Sequence, residues 1–212
     1  MNRRDLLKQI TLITGGVVIG SEFFLTGCKV GPKPEAGFTP ANIALLDEIG
    51  ETIIPATTTP GAKAAKIGEF MKVIVTDCYT ERQQEAFMKG ISALDASCDA
   101  LHGQTFMECD ATQRKDLLLR LEVEAKDFNL KRDEADIARR EAHDKKNSVL
   151  AWKDQTDFEA SPSHYYTMMK QLTLWGFFTS ETGMTETLRH VAVPGRYDGA
   201  VPYVEGEKAW AE

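Results

Sequence analysis

Apolar residues recur at helical spacing along most of the chain from Thr39 onward. Ile43, Leu46, Ile49 and Ile53 fall on one side of a helix. Thr39-Pro40 opens it, with Thr as N-cap and Pro in the first turn, and Pro55 stops it. Residues 56–61, with three threonines and Pro60, form a loop. A second helix is predicted over 64–78, using Ile67, Phe70, Val73, Ile74 and Val75. Thr80-Glu81-Arg82-Gln83 is a capping box for a third, with Phe87, Ile91 and Leu94 on one side. Asp110 to Gln113 repeats the capping pattern ahead of Leu117, Leu118 and Leu121. Ser161-Pro162-Ser163 starts a last long helix over 165–178. No sustained alternation reads as sheet. The expectation is an all-α chain: a single helical domain over 39–212, ending in an irregular C-terminal strap.

Residues 122–147 break the amphipathic pattern. They are highly charged and carry few apolar anchors, which fits either an exposed helical excursion or a partly mobile insertion. The chain has 25 basic and 32 acidic residues, a net charge of −7. Its basic residues gather only around 126–146, where acids are mixed in, so there is no nucleic-acid footprint.

The N-terminus has a different character. Asn2-Arg3-Arg4-Asp5-Leu6-Leu7-Lys8 has the form of a twin-arginine export signal, with Arg3 and Arg4 as its pair. A moderately apolar run over 10–24 follows, diluted by Gly15, Gly16, Gly20 and Ser21. It is short of the roughly 20 apolar residues a spanning helix needs. Leu25-Thr26-Gly27-Cys28 is a lipobox, which places lipidation at Cys28. Residues 1–27 are therefore expected to be a twin-arginine lipoprotein signal peptide and 28–38 a Gly/Pro-rich tether. The expected location is periplasmic and membrane-tethered, reached through the twin-arginine translocase. That route carries folded cargo, which raises the question of a cofactor.

No cofactor motif is visible. There is no Gly-x-Gly-x-x-Gly, no Cys-x-x-Cys-His, no P-loop and no Gly-x-Ser-x-Gly elbow. No His pair has the local spacing of a metal site. Carboxylates lie mostly on mixed-charge helix faces and read as solvated surface. No catalytic, cofactor-binding or metal-ligating residue is assigned. Beyond Cys28 the chain has Cys78, Cys98 and Cys109. Cys98 and Cys109 are the nearest pair for a disulfide that staples a helix end to the following loop, and three reduced buried cysteines are the alternative. His164 begins an aromatic cluster with Tyr165, Tyr166, Trp175, Phe177 and Phe178.

The residues 172–183, Leu-Thr-Leu-Trp-Gly-Phe-Phe-Thr-Ser-Glu-Thr-Gly, followed by Val193-Pro194-Gly195-Arg196-Tyr197-Asp198-Gly199, resemble the signature of the gluconate 2-dehydrogenase subunit 3 family. The stretch 46–55, Leu-Asp-Glu-Ile-Gly-Glu-Thr-Ile-Ile-Pro, with Thr59-Pro60-Gly61-Ala62, is similar to that family's opening motif. The resemblance implies a small, non-catalytic subunit of a membrane-associated dehydrogenase. The partner it implies is a large flavoprotein of the glucose–methanol–choline type that carries FAD and oxidises a sugar or sugar acid. A c-type cytochrome with haem c often receives the electrons. The resemblance further implies that the small subunit serves folding, export and stability of the large one, and the lipobox adds the expectation of an anchoring role.

The residues themselves agree in kind. Trp175, Phe177 and Phe178 near a helix end, and Arg196 and Tyr197 in a strap flanked by Pro194 and Pro202, have the composition of an interface. Two other readings compete. One is a stand-alone lipid-anchored binding or structural protein. The other is an enzyme with an unrecognised site built around His164, Tyr165 and Glu181.

Overall fold

The computed structural model describes residues 37–193, 195 and 199–211. Helix α1 spans Pro40–Ile53, with Thr39 Oγ1 accepting the Asn42 N–H at 3.2 Å and Pro40 in the first turn. Of its expected inner residues Leu46 and Ile49 are fully buried, whereas Ile43 and Ile53 sit at the margin and Leu45 joins the core. The second helix starts later than periodicity predicts. A short 3-10 turn occupies Ala62–Ala65, Lys66 takes a left-handed conformation (φ 53°), and α2 then runs over Ile67–Cys78. The break has a tertiary cause: the Gly68 N–H donates to Asp47 Oδ1 at 2.8 Å, so the helix restarts on a cap supplied by α1.

Helix α3, Glu81–His102, opens on the Thr80–Gln83 capping box and ends at Gly103 with φ 71°. Helix α4, Ala111–Asn147, opens on the second box: Asp110 Oδ1 accepts from Thr112 and Gln113, and Gln113 Oε1 accepts the Asp110 N–H at 3.0 Å. Helix α5, Tyr165–Thr179, is capped by His164 and not by the serines expected, because Nδ1 of His164 accepts the Tyr166 N–H at 3.3 Å. Among the described residues these five are the α-helices and there is no β-strand; the fold is all-α.

Helix α5 is the centre of the domain and touches each of the other four. That position explains why its sequence is apolar nearly all round. Met169, Thr173 and Phe177 from α5 meet Leu46, Ile49, Ile67, Met71, Phe87 and Leu94 in the core. Close approach is built in at Gly90 on α3, where an added Cβ would stand 2.2 Å from Cβ of Tyr165. Burying these side chains contributes about 1.5–3 kcal/mol each.

The charged excursion is helix. After Ala125 no apolar residue of α4 is buried, yet the helix runs on for some six further turns. Intrahelical pairs such as Lys131–Asp127, 2.7 Å, support it. A returning segment, 155–164, supports it more. Thr156 pairs with the Asn147 amide, Ser161 donates N–H and Oγ–H to Asp136 at 2.6 and 2.9 Å, and Asn129 Oδ1 accepts the His164 N–H at 2.9 Å. Phe158 lies against the guanidinium groups of Arg139 and Arg140, 5.3 and 4.9 Å from its ring centre. The anchors on this face are polar, so apolar periodicity could not reveal them. The Ser161 N–H foremost holds the buried Asp136 carboxyl below its ordinary value.

Past α5 the chain makes a π-helical turn, Gly183–Thr187, and then loses regular structure. Its ends meet where Arg189 N–H donates to the Ala209 carbonyl at 2.8 Å and Ala211 N–H donates to the Arg189 carbonyl at 3.1 Å. The Arg189 guanidinium lies 3.7 Å from the Trp210 ring centre.

Candidate functional site

The last two turns of α5 carry an apolar face that the described residues leave about half exposed. Successive helix positions split sharply: Leu172, Thr173, Gly176 and Phe177 point inward, while Gln171, Leu174, Trp175 and Phe178 point outward. Leu174 is 38% exposed, Trp175 52% and Phe178 41%; Val73 on the neighbouring α2 is 53% exposed. The ring of Phe70 meets Trp175 edge to face at 5.3 Å. Gly176 makes this possible, since a Cβ there would come within 2.5 Å of the Phe70 ring. The α2–α5 crossing is thereby close, and the indole is propped outward on Phe70. Covering the exposed part of such a side chain is worth on the order of 1 kcal/mol.

The strap continues the same character. Among the described residues beyond Gly183 none is buried. Val191, Val193, Val201, Tyr203, Val204 and Trp210 are all large, apolar and exposed. A segment that only closed the domain would place some of these inside.

Of the residues singled out from sequence, Trp175 and Phe178 lie on this face. Phe177 does not: it is 1% exposed and belongs to the core, a correction that follows from its position on the opposite side of the helix. Arg196 and Tyr197 lie outside the described residues, as do Arg3, Arg4 and Cys28. Cys98 and Cys109 are buried free thiols with sulfurs 3.1 Å apart, and Cys78 is an exposed free thiol.

His164 and Tyr165 stack at 4.3 Å at the start of α5. Glu181 lies beyond the other end, about 24 Å away along a helix rising 1.5 Å per residue, so the structure does not bring this trio together. Burial lowers the His164 pKa, opposed by Glu124, whose carboxylate is 3.8 Å from Nε2. Burial also pushes the Tyr165 and Tyr166 hydroxyls up to about 12. Among the described residues no three His, Cys, Asp or Glu stand together as a metal site, and no helix is long and apolar enough to cross a membrane.

Reading acids as solvated surface missed a cluster in the opening motif. Asp47 caps α2. Glu51 accepts the Ala56 N–H at 2.8 Å and the Lys63 N–H at 2.9 Å, fixing both ends of the intervening loop. Glu48 pairs with Lys63 at 2.6 Å and with Arg114. The hydrogen bond from Lys63 foremost, with Arg114 adding to it, holds the Glu48 carboxyl below its ordinary value against the opposing effect of burial. The available signal was three acids at i, i+1 and i+4 directly before a Pro/Thr/Gly loop that needs its N–H groups satisfied.

A helical domain whose polar groups are largely used on caps and clasps, and which leaves large apolar side chains exposed on the end of α5 and along the strap as well as on α4 and the segment that follows it, defines the class: a domain shaped to assemble. The chain belongs to the gluconate 2-dehydrogenase subunit 3 family, whose model matches residues 40–195, from the first turn of α1 into the strap. It is thus related to subunits of a dehydrogenase complex. No curated protein and no solved structure matches the chain.

Proposed function

We propose that this chain is the small accessory subunit of an exported, flavin-dependent sugar or sugar-acid dehydrogenase, and that it acts by association and not by chemistry of its own. The observation that carries this reading is the uncovered face of Val73, Leu174, Trp175 and Phe178 beside a strap with no buried described residue. Family membership supplies the context of a multi-subunit dehydrogenase. The partner is a large flavoprotein of the glucose–methanol–choline type, with FAD bound there and a c-type cytochrome as a further subunit. By binding only the folded flavoprotein, the chain stabilises that fold through mass action. The Arg3-Arg4 signal gives the pair its export address, and lipid on Cys28 tethers it in the periplasm.

Affinity-tagged chain, solubilised from membranes in detergent, should bring down a larger polypeptide with a visible flavin spectrum and carbohydrate-dependent dye reduction. Removing residues 1–27 should leave that flavoprotein in the cytoplasm. A chain that purifies alone, or that binds flavin itself, would refute the proposal.

A further inference from the structure

The sulfurs of Cys98 and Cys109 stand 3.1 Å apart inside the core, closer than ordinary van der Waals contact between two sulfurs. Each is placed by its own surroundings. Cys98 is on the penultimate turn of α3, and Cys109 directly precedes Asp110, the cap of α4. The loop between them is pinned by Phe106, whose side chain is fully buried. The Phe106 N–H donates to Asp95 at 3.2 Å and its carbonyl accepts from Arg114 Nε at 2.9 Å. The fold thus holds the two thiols face to face without a covalent bond to do it, and only a small approach separates them from bonding distance.

We infer that Cys98 and Cys109 are a disulfide-forming pair whose oxidation staples the end of α3 to the loop that leads into α4. The oxidant is of the protein dithiol–disulfide class. Cys109 sulfur, as thiolate, attacks one sulfur of the oxidant's disulfide; that S–S bond breaks and the oxidant's other sulfur leaves as a thiolate. Cys98 sulfur then attacks the Cys109 sulfur of the mixed disulfide and expels the oxidant's second thiolate. The chain loses two electrons and two protons, and the oxidant gains both as two thiols.

The order follows from placement. Burial, with the neighbouring Cys109, pushes the Cys98 thiol up to about 12, so it is a poor first nucleophile. Cys109 lies in the loop ahead of α4 and is the less deeply buried of the two, 4% exposed against 0% for Cys98. The inference does not depend on the proposed export route. It suits that route, because a chain that crosses a membrane already folded meets its oxidant with the pair preformed.

The test uses purified full-length chain, reduced and then equilibrated with oxidised dithiothreitol or glutathione disulfide. Trypsin leaves both cysteines on one peptide, residues 90–114, and cleavage after Glu108 then separates them. The expected result is a peptide two hydrogens lighter, resistant to alkylation, whose halves stay joined after the Glu108 cut until reductant is added. The oxidised protein should melt about 5–10 °C above the reduced form, as a short closed loop in a domain of this size implies. Replacing Cys78 by Ser should leave that difference unchanged. Full alkylation of both cysteines after equilibration, or a disulfide to Cys78 in their place, overturns the pairing. A Cys98–Cys109 disulfide that leaves the melting temperature unchanged overturns the staple.

Discussion

Arg114 on α4 donates to Glu48 on α1 across 66 residues of sequence, while its Nε and Nη2 donate to the carbonyls of Phe106 and Met107, each at 2.9 Å. One guanidinium therefore ties together the first helix, the α3–α4 loop and the base of the longest helix. The pair is mostly shielded from water, and Glu48 keeps Lys63 as a second partner when Arg114 is removed.

Arg114→Ala should destabilise the domain by about 1–3 kcal/mol, because two carbonyls lose their donor and a shielded carboxylate loses one of its two cationic partners. Arg114→Lys should recover little, since an ammonium does not reproduce the three-way fork. Urea titration followed by circular dichroism measures both. The Glu48 carboxyl is held below its ordinary value of 4.5. Its contribution is thus present above that value and lost as pH falls through the lowered, folded-state pKa. Glu48→Gln should flatten this acid limb.

His164 gives a second pH dependence in a higher window. Its Nδ1 accepts the Tyr166 N–H, so the cap exists only while that nitrogen is unprotonated. Phe128 and Tyr165 flank the ring, and Glu124 faces Nε2. Burial lowers its pKa below 6.5. Between 6.5 and the lower folded value the unfolded chain binds the proton and the folded chain does not. Stability should be full above 6.5 and decline as pH falls toward and through the folded pKa. His164→Asn keeps a capping side chain and removes the titration. Its urea midpoint should vary less than that of wild type between about pH 7.5 and 5.5, the range in which histidine titrates. Equal slopes would assign the dependence to another group.

What was legible in the sequence was whatever rests on local chemistry. The two capping boxes at Thr80 and Asp110, the Thr39-Pro40 start and the inner faces with Phe87, Leu94 and Leu117 all stand as read. Elements that depend on distant partners were not legible. The Lys66 break needs Asp47 from another helix, and the polar clasp on α4 needs a segment that returns from beyond its end. Phe177 and Phe178 show the same limit at the site. Adjacent aromatics on a central helix point in different directions, and only the packed neighbours decide which one remains outside.

That division makes a clean mutational contrast. Phe177→Ala should cost about 3–5 kcal/mol of stability, the usual range for emptying a buried aromatic site. Trp175→Ala with Phe178→Ala should cost under about 2 kcal/mol, since both rings are already half in water. The double variant should nevertheless reduce recovery of the larger flavoprotein from detergent extracts by at least about tenfold, as loss of interface aromatics typically does. Undiminished recovery from a folded double variant would place the partner contact elsewhere.

The strap allows the sharpest separation of folding from association. None of its described residues is buried, and its closure rests on one isolated backbone pairing, the Arg189–Trp210 stack, the Arg189–Glu207 ion pair and a Lys208 bond to the Glu186 carbonyl, all at the surface. Truncation after Leu188 removes almost no core surface, so the melting temperature should fall by no more than about 4 °C, the shift that roughly 1 kcal/mol causes in a domain of this size. The apolar side chains lost, from Val191 to Val204, are exposed, and Trp210 stacks on Arg189, which is lost with it. If they contact the large subunit, the truncated chain should fold, remain monomeric and fail to retain the flavoprotein. If the strap instead completes this domain, truncation should lower stability and partner recovery together, and restoring stability with a disulfide or an added osmolyte should restore recovery. Recovery that stays lost in a chain whose melt is unchanged assigns the strap to the partner.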